Sequence, residues 1–300
     1  MFPRGATSGY QNAVCFADSN PAPNPLHSGP TTFSLLVMKK LAIALIVLVA
    51  CIPAFAQPAP DKAAILKKAG QAYYLLKAHG LRGFQCEATP DWEKFLADNT
   101  TPATRPTGEQ AAKIKLMRAS VTLSDGIPAV TNHTSDGSKL DDGLADMAGG
   151  LNQMITGFFM TWSPLTFDDP FSDLTTNSDL QIDGGNYRFH QKSTGSEVTL
   201  AMTKDYVISR MDFLLPEGAV AVMPTYTKTP KGLLVQNVES DLAAQKQHVS
   251  ISIEYSDVEG IKLPAKATYK VAGPGLDVKL DVSFSQYKLT TTAYSNFVGG

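Results

Sequence analysis

An α+β fold made mostly of antiparallel β structure is predicted for residues 57–300, and three observations carry that expectation. From Leu180 onward, apolar and polar residues alternate with a period of two over several separate stretches, as in strands with one dry and one wet face. Glycine-bearing turn signals divide these stretches, and connections so short dictate antiparallel neighbours. One long helical stripe, Leu140 to Trp162, precedes them and supplies an apolar face for a sheet to pack on. The expected architecture is a curved half-barrel sheet with helices covering its concave face.

The elements follow in order. Residues 1–37 are rich in Pro, Ser, Asn and Gly without apolar periodicity and read as an upstream extension foreign to the native product. Met38, Lys39 and Lys40 then precede the apolar run Leu41 to Ala50, and the small-residue triplet Ala54-Phe55-Ala56 follows. That order is an export signal over 38–56, with a run too short to span a bilayer. Cleavage before Gln57 leaves a single periplasmic domain, 57–300. The alternative is Leu48-Val49-Ala50-Cys51, which resembles a lipobox and would leave the chain anchored through an acylated Cys51. Ile52, Pro53, Ala54 and Phe55 prolong the apolar run where a lipoprotein turns polar, which favours soluble release.

Ile65, Ala69, Ala72, Tyr73 and Leu76 recur at helical spacing, predicting a helix from Asp61 to about His79 with Gly80 as its stop. Phe84 to Trp92 reads as a strand, Asn99 to Gly108 as a loop, and Lys113–Leu123 with Ala129–His133 as a strand pair turning at Asp125-Gly126. In the long helix Leu140, Leu144, Met147, Leu151, Met154, Phe158 and Trp162 trace one stripe, Gly149 and Gly150 weaken the middle, and Pro164 closes it. Tyr187 and Phe189, Val198 to Met202, Val249 to Tyr255 and Leu276 to Phe284 are the alternating strands. Within them Ser250, Ser252, Lys279 and Asp281 are expected to face water.

Composition narrows the function classes. The chain is 43% apolar and 18% charged with a formal charge of -2, so it offers no electrostatic footprint for nucleic acid. After cleavage Cys86 is the one remaining cysteine, expected as a small buried side chain. His79, His133, His190 and His248 are isolated from one another, with His190 and His248 read as solvent-facing, and no metal site is predicted. Asp141-Asp142 and Asp168-Asp169 sit at element boundaries and read as caps rather than a catalytic pair. No GxSxG, SxxK, GxxxxGK[ST] or GxGxxG signature occurs, so neither a catalytic residue nor a cofactor is predicted.

The Met and aromatic stripe of the helix suits irregular apolar guests such as acyl chains, although the same stripe also suits plain core. The candidate ligand-lining residues are Leu144, Met147, Leu151, Met154, Phe158 and Trp162 on the helix, with Ile251, Ile253, Tyr255, Val278 and Leu280 on the strands.

The segment from Tyr255 to Pro264, Tyr-Ser-Asp-Val-Glu-Gly-Ile-Lys-Leu-Pro, resembles the hairpin of LolA-type periplasmic lipoprotein carriers and related outer-membrane lipoprotein-sorting proteins. Tyr255 ends a strand, Glu259-Gly260 turns, Ile261 and Leu263 restart the apolar face, and Pro264 takes an edge position that needs no donor. Val198 to Phe213, with Lys204-Asp205 at its turn, resembles the family's paired central strands. The resemblance implies a half-open antiparallel barrel with a helical lid. It also implies a carrier for a lipid-modified protein or another amphiphile. With no catalytic signature, the chain is expected to be a non-enzymatic, monomeric binding or carrier protein for a lipid, acyl chain or lipoprotein, in transient contact with envelope proteins. A structural β domain of the envelope without a ligand is the alternative.

Overall fold

The alternating stretches pair in chain order. The computed structural model describes residues 61–291 apart from 141, 173, 175–177 and 217, all within a unit spanning 59–300. The export signal, its cleavage site, Cys51 and residues 1–37 lie outside the described residues. Among the described residues, twelve strands form one antiparallel sheet: β1 (Leu81–Pro90), β2 (Met117–Ser124), β3 (Ile127–Thr134), β4 (Ser178–Asp183), β5 (Asn186–Ser193) and β6 (Ser196–Met202), then β7 (Ile208–Leu215), β8 (Gly218–Thr229), β9 (Gly232–Leu242), β10 (Gln247–Val258), β11 (Ile261–Gly273) and β12 (Leu276–Thr291). Their order is β3-β2-β1-β12-β11-β10-β9-β8-β7-β6-β5-β4, so only the β1–β12 pairing departs from sequential hairpins. β3 and β4 end the order unpaired with each other, and the sheet is not closed into a barrel.

Among the described residues four α-helices accompany the sheet: α1 (Lys62–Ala72), α2 (Trp92–Asn99), α3 (Gly108–Leu116) and α4 (Ala145–Thr166). The first ends earlier than its periodicity predicts. Tyr73 is extended and bridges Leu233, its hydroxyl accepts from the Ile208 amide at 2.7 Å and donates to the Tyr206 carbonyl at 2.9 Å, and Tyr74 N–H bonds Leu233. These tertiary bonds replace the helical ones, and a separate 3-10 turn, Lys77–His79, ends at Gly80 with φ 82°.

Two short helices stand where strand or loop was expected. Trp92 opens α2 instead of ending β1, because Asp91 caps the helix by accepting from the Lys94 amide at 3.0 Å. Lys113 to Leu116 belong to α3, and β2 starts only at Met117. The β2–β3 turn does fall at Asp125-Gly126, with φ of 45° and 86°. A Cβ on Gly126 would lie 2.8 Å from Ser163 Oγ, which donates to the Gly126 carbonyl. Glycine there therefore admits α4 to the turn.

The long helix is displaced toward the C-terminus. Leu140 lies outside it, Asp142–Leu144 form a 3-10 turn, and α4 continues through Pro164 to Thr166. The carbonyl left without a partner by Pro164 is that of Met160, a residue 57% exposed, so water can serve it. The buried row is Ala148, Leu151, Ile155, Phe158, Phe159, Trp162 and Leu165, while Met147 and Met154 flank it half-buried.

Asp281 corrects the simple alternation of β12. Lys279 and Asp281 were expected in water, but α2 takes β1's place beside β12 once β1 ends at Pro90. The Asp91 amide donates to the Asp281 carbonyl, and Asn99 exchanges two hydrogen bonds with the Lys279 backbone. Asp281 is 6% exposed and pairs with Lys94 at 2.8 Å and Lys266 at 3.2 Å. Burial alone would raise its pKa, but the hydrogen bond from Lys94 and the charge of Lys266 bring it down to about 2. Pro264 corrects in the same way: β11 is an interior strand, and the missing donor falls beside a bulge between Glu254 and Tyr255, where Pro264 faces Tyr255.

Candidate functional site

Register builds the floor of a groove. Val222 faces Ser240, Ser240 faces Val249, Val249 faces Val271 and Val271 faces Val278, one continuous row across β8 to β12. A parallel row runs through Val220, Leu242 and Gln247, and it resumes at Leu276. The next row inward, Val238, Ile251, Tyr269 and Leu280, is buried. Period-two alternation puts each row on the same side of the sheet.

The wall is α4. Gly150, Gln153, Met154, Gly157, Phe158 and Thr161 face the rows of Val220, Val222, Val249, Ile251, Tyr269, Val271 and Val278 across an open groove of about 560 Å³. Nothing stands within 4 Å of where a Cβ would sit on Gly150 or Gly157, so the helix side is hollow where these glycines lie. Among the described residues no charged side chain lines the groove.

The C-terminal half of α4 is anchored beside it. Phe158 stacks on Phe284 and Trp162 and meets Tyr269 edge-on. The Trp162 indole donates to the Tyr255 hydroxyl at 2.9 Å, and that hydroxyl donates to the Val235 carbonyl at 2.7 Å. Burial pushes the Tyr255 hydroxyl's pKa up, so it remains a neutral donor. Asn152 donates to the Val130 carbonyl and Asn132 to the Ala148 carbonyl, which lays α4 along β3.

Of the residues singled out from the sequence, Met154, Phe158, Ile251 and Val278 meet at this groove. Leu151, Trp162, Ile253 and Leu280 are buried core, Tyr255 holds Trp162, and Met147 is half-buried. Leu144 lines a different hollow of about 400 Å³ with Lys113, Leu116 and Leu140. Sequence reasoning missed Val220, Val222, Leu242, Tyr269 and Val271. The Ala-Val-Ala-Val alternation at 219–222, and the pairing imposed by the turn at Pro230-Lys231, carried the signal for part of that set.

Other polar groups are engaged structurally. His248 bonds Asp241 at 2.7 Å through Nδ1 and Glu239 at 2.8 Å through Nε2, which raises its pKa. His190 reaches Thr199 Oγ1 at 3.1 Å and is only part-exposed, because it stands between paired strands. Asp169 accepts from the Phe171 amide, and Asp168 pairs with Lys77. Cys86 is buried, and desolvation pushes its thiol up to about 12. Among the described residues no group of three or more His, Cys, Asp or Glu is placed to hold a metal ion.

No protein-family model matches the chain, and no curated protein matches it.

Proposed function

We propose that the protein is a non-enzymatic binding or carrier protein of the periplasm, which receives an acyl chain of a lipid or lipoprotein in the groove between α4 and β8–β12. The observation that carries this reading is the uncharged, valine-rich row spanning five strands beneath a helix wall hollowed at Gly150 and Gly157. Its volume of 560 Å³ falls within the range of about 300–1,000 Å³ usual for ligand clefts. Burial of hydrocarbon supplies the driving force, roughly 0.8 kcal/mol per methylene.

A curved half-barrel around α4, as in the LolA-type carriers that the Tyr255–Pro264 hairpin resembles, belongs to the same proposal. Its support is geometric. The helix lies along β3 through Asn132 and Asn152, yet Trp162 reaches Tyr255 on β10, five places away in the sheet order. Strands stand about 4.8 Å apart and a helix is about 10 Å across, so a sheet that curls around α4 accounts for both contacts. The ligand enters along the glycine side, and α4 stays in place.

Tight packing of Phe158, Phe159 and Trp162 favours a second reading, an envelope scaffold with a filled core and no ligand. Native mass spectrometry of protein purified from its own periplasm separates the two. A co-purifying lipid supports the carrier, and a bare mass across gentle conditions supports the scaffold.

A further inference from the structure

Among the described residues, one buried polar group of the groove lining has no hydrogen-bond partner. Tyr269 lines it from β11, is 3% exposed, and its hydroxyl is buried without a hydrogen-bond partner. Buried hydroxyls are almost always satisfied, and one that is not calls for an explanation. Its neighbours Ile251 and Leu280 on the flanking strands, and Phe158 above, offer only apolar surface. Desolvation keeps the phenol protonated, so it can act only as a neutral donor or a weak acceptor.

We infer that the Tyr269 hydroxyl determines specificity in the groove by donating a hydrogen bond to the carbonyl of a neutral acyl ester. The inference rests on the carrier reading above. An ester fits better than an ionised fatty acid because among the described residues no Lys, Arg or His lines the groove to neutralise a buried carboxylate. An alkyl chain without a carbonyl leaves the phenol unpaired and gains nothing from it. The hydroxyl is covered by apolar lining, so the carbonyl reaches it as an entering chain displaces part of that lining. Met154, half-buried on the groove wall, is unbranched and flexible and suits such adjustment.

The test compares three probes of equal chain length, a methyl ester, the free acid at pH 8 and the hydrocarbon, against the wild type and Tyr269→Phe. The wild type should bind the ester more tightly than either of the others, and Tyr269→Phe should lower the ester-to-hydrocarbon affinity ratio about tenfold. The infrared carbonyl stretch of a ¹³C-labelled ester should move to lower frequency on the wild type and return on Tyr269→Phe, which a merely structural role would not produce. An unchanged ratio with both probes bound, or a free acid preferred over the ester, overturns the inference and leaves the groove standing. If no probe binds the wild type, the carrier reading falls and this inference falls with it.

Discussion

The indole N–H of Trp162 donates to the Tyr255 hydroxyl at 2.9 Å, and this bond joins the end of α4 to the strand that opens the Tyr255–Pro264 hairpin. The hydroxyl in turn donates a hydrogen bond to the Val235 carbonyl, so β9, β10 and α4 share one polar link inside apolar surroundings. Tyr255→Phe leaves both the indole and the carbonyl unpaired. Urea denaturation should show a loss of about 1–3 kcal/mol, and a loss under about 0.5 kcal/mol would mean the link does not hold the helix.

Two residues expected on one stripe should separate on truncation. Phe158 is 1% exposed between Trp162 and Phe284, and Phe158→Ala should cost about 3–5 kcal/mol. Met154 is half-buried on the groove wall, and Met154→Ala should cost only about 1 kcal/mol while changing the affinity for an acyl probe. Equal losses in a denaturant series would place Met154 in the core instead.

Asp281 gives the fold a pH dependence of known sign. Its carboxyl, ordinarily near 3.8, is held at about 2, so the stabilisation is fully present above about pH 4 and is lost as pH falls toward 2. Asp281→Asn should be less stable than the wild type by about 2 kcal/mol at pH 7, with the gap closing by pH 2. Denaturation curves at pH 7, 4 and 2 check this, and a gap constant with pH would contradict it.

Affinity should rise with chain length. Burying one more methylene gains roughly 0.8 kcal/mol, so a series of acyl esters should bind about fourfold more tightly per added carbon until the groove is full. Isothermal titration across the series reads this directly. A flat series would mean the chain does not enter the groove.

How far the sequence alone reached follows from the range of the forces involved. Alternation in Val249–Tyr255 and Leu276–Phe284, with turns at Asp125-Gly126 and Glu259-Gly260, is local information, and those strands and turns are where the residues place them. The short helices α2 and α3 were not legible, because eight or nine residues hold too few turns for a stripe, and α2 depends on an Asp91 cap and on packing against β12, far away in sequence. Asp281 was misread for the same reason: the lysine that covers it, Lys94, is far away in sequence. The groove was half legible. The helix wall shows in Met154 and Phe158, but the floor depends on register among five strands, which no single stretch of sequence states.

The central claim, that the hollow beside Gly150 and Gly157 takes an acyl chain, is tested most directly by filling the hollow without harming the fold. Nothing lies within 4 Å of a Cβ at either position, and leucine in place of glycine inside a helix should add roughly 0.5–1 kcal/mol of stability at each. A fluorescent acyl methyl ester titrated against the wild type and against Gly150→Leu with Gly157→Leu reads both effects. The carrier account predicts that the wild type binds, and that the double variant melts at a higher temperature yet binds at least about tenfold more weakly. Undiminished binding by the double variant, or no binding by the wild type, would contradict it.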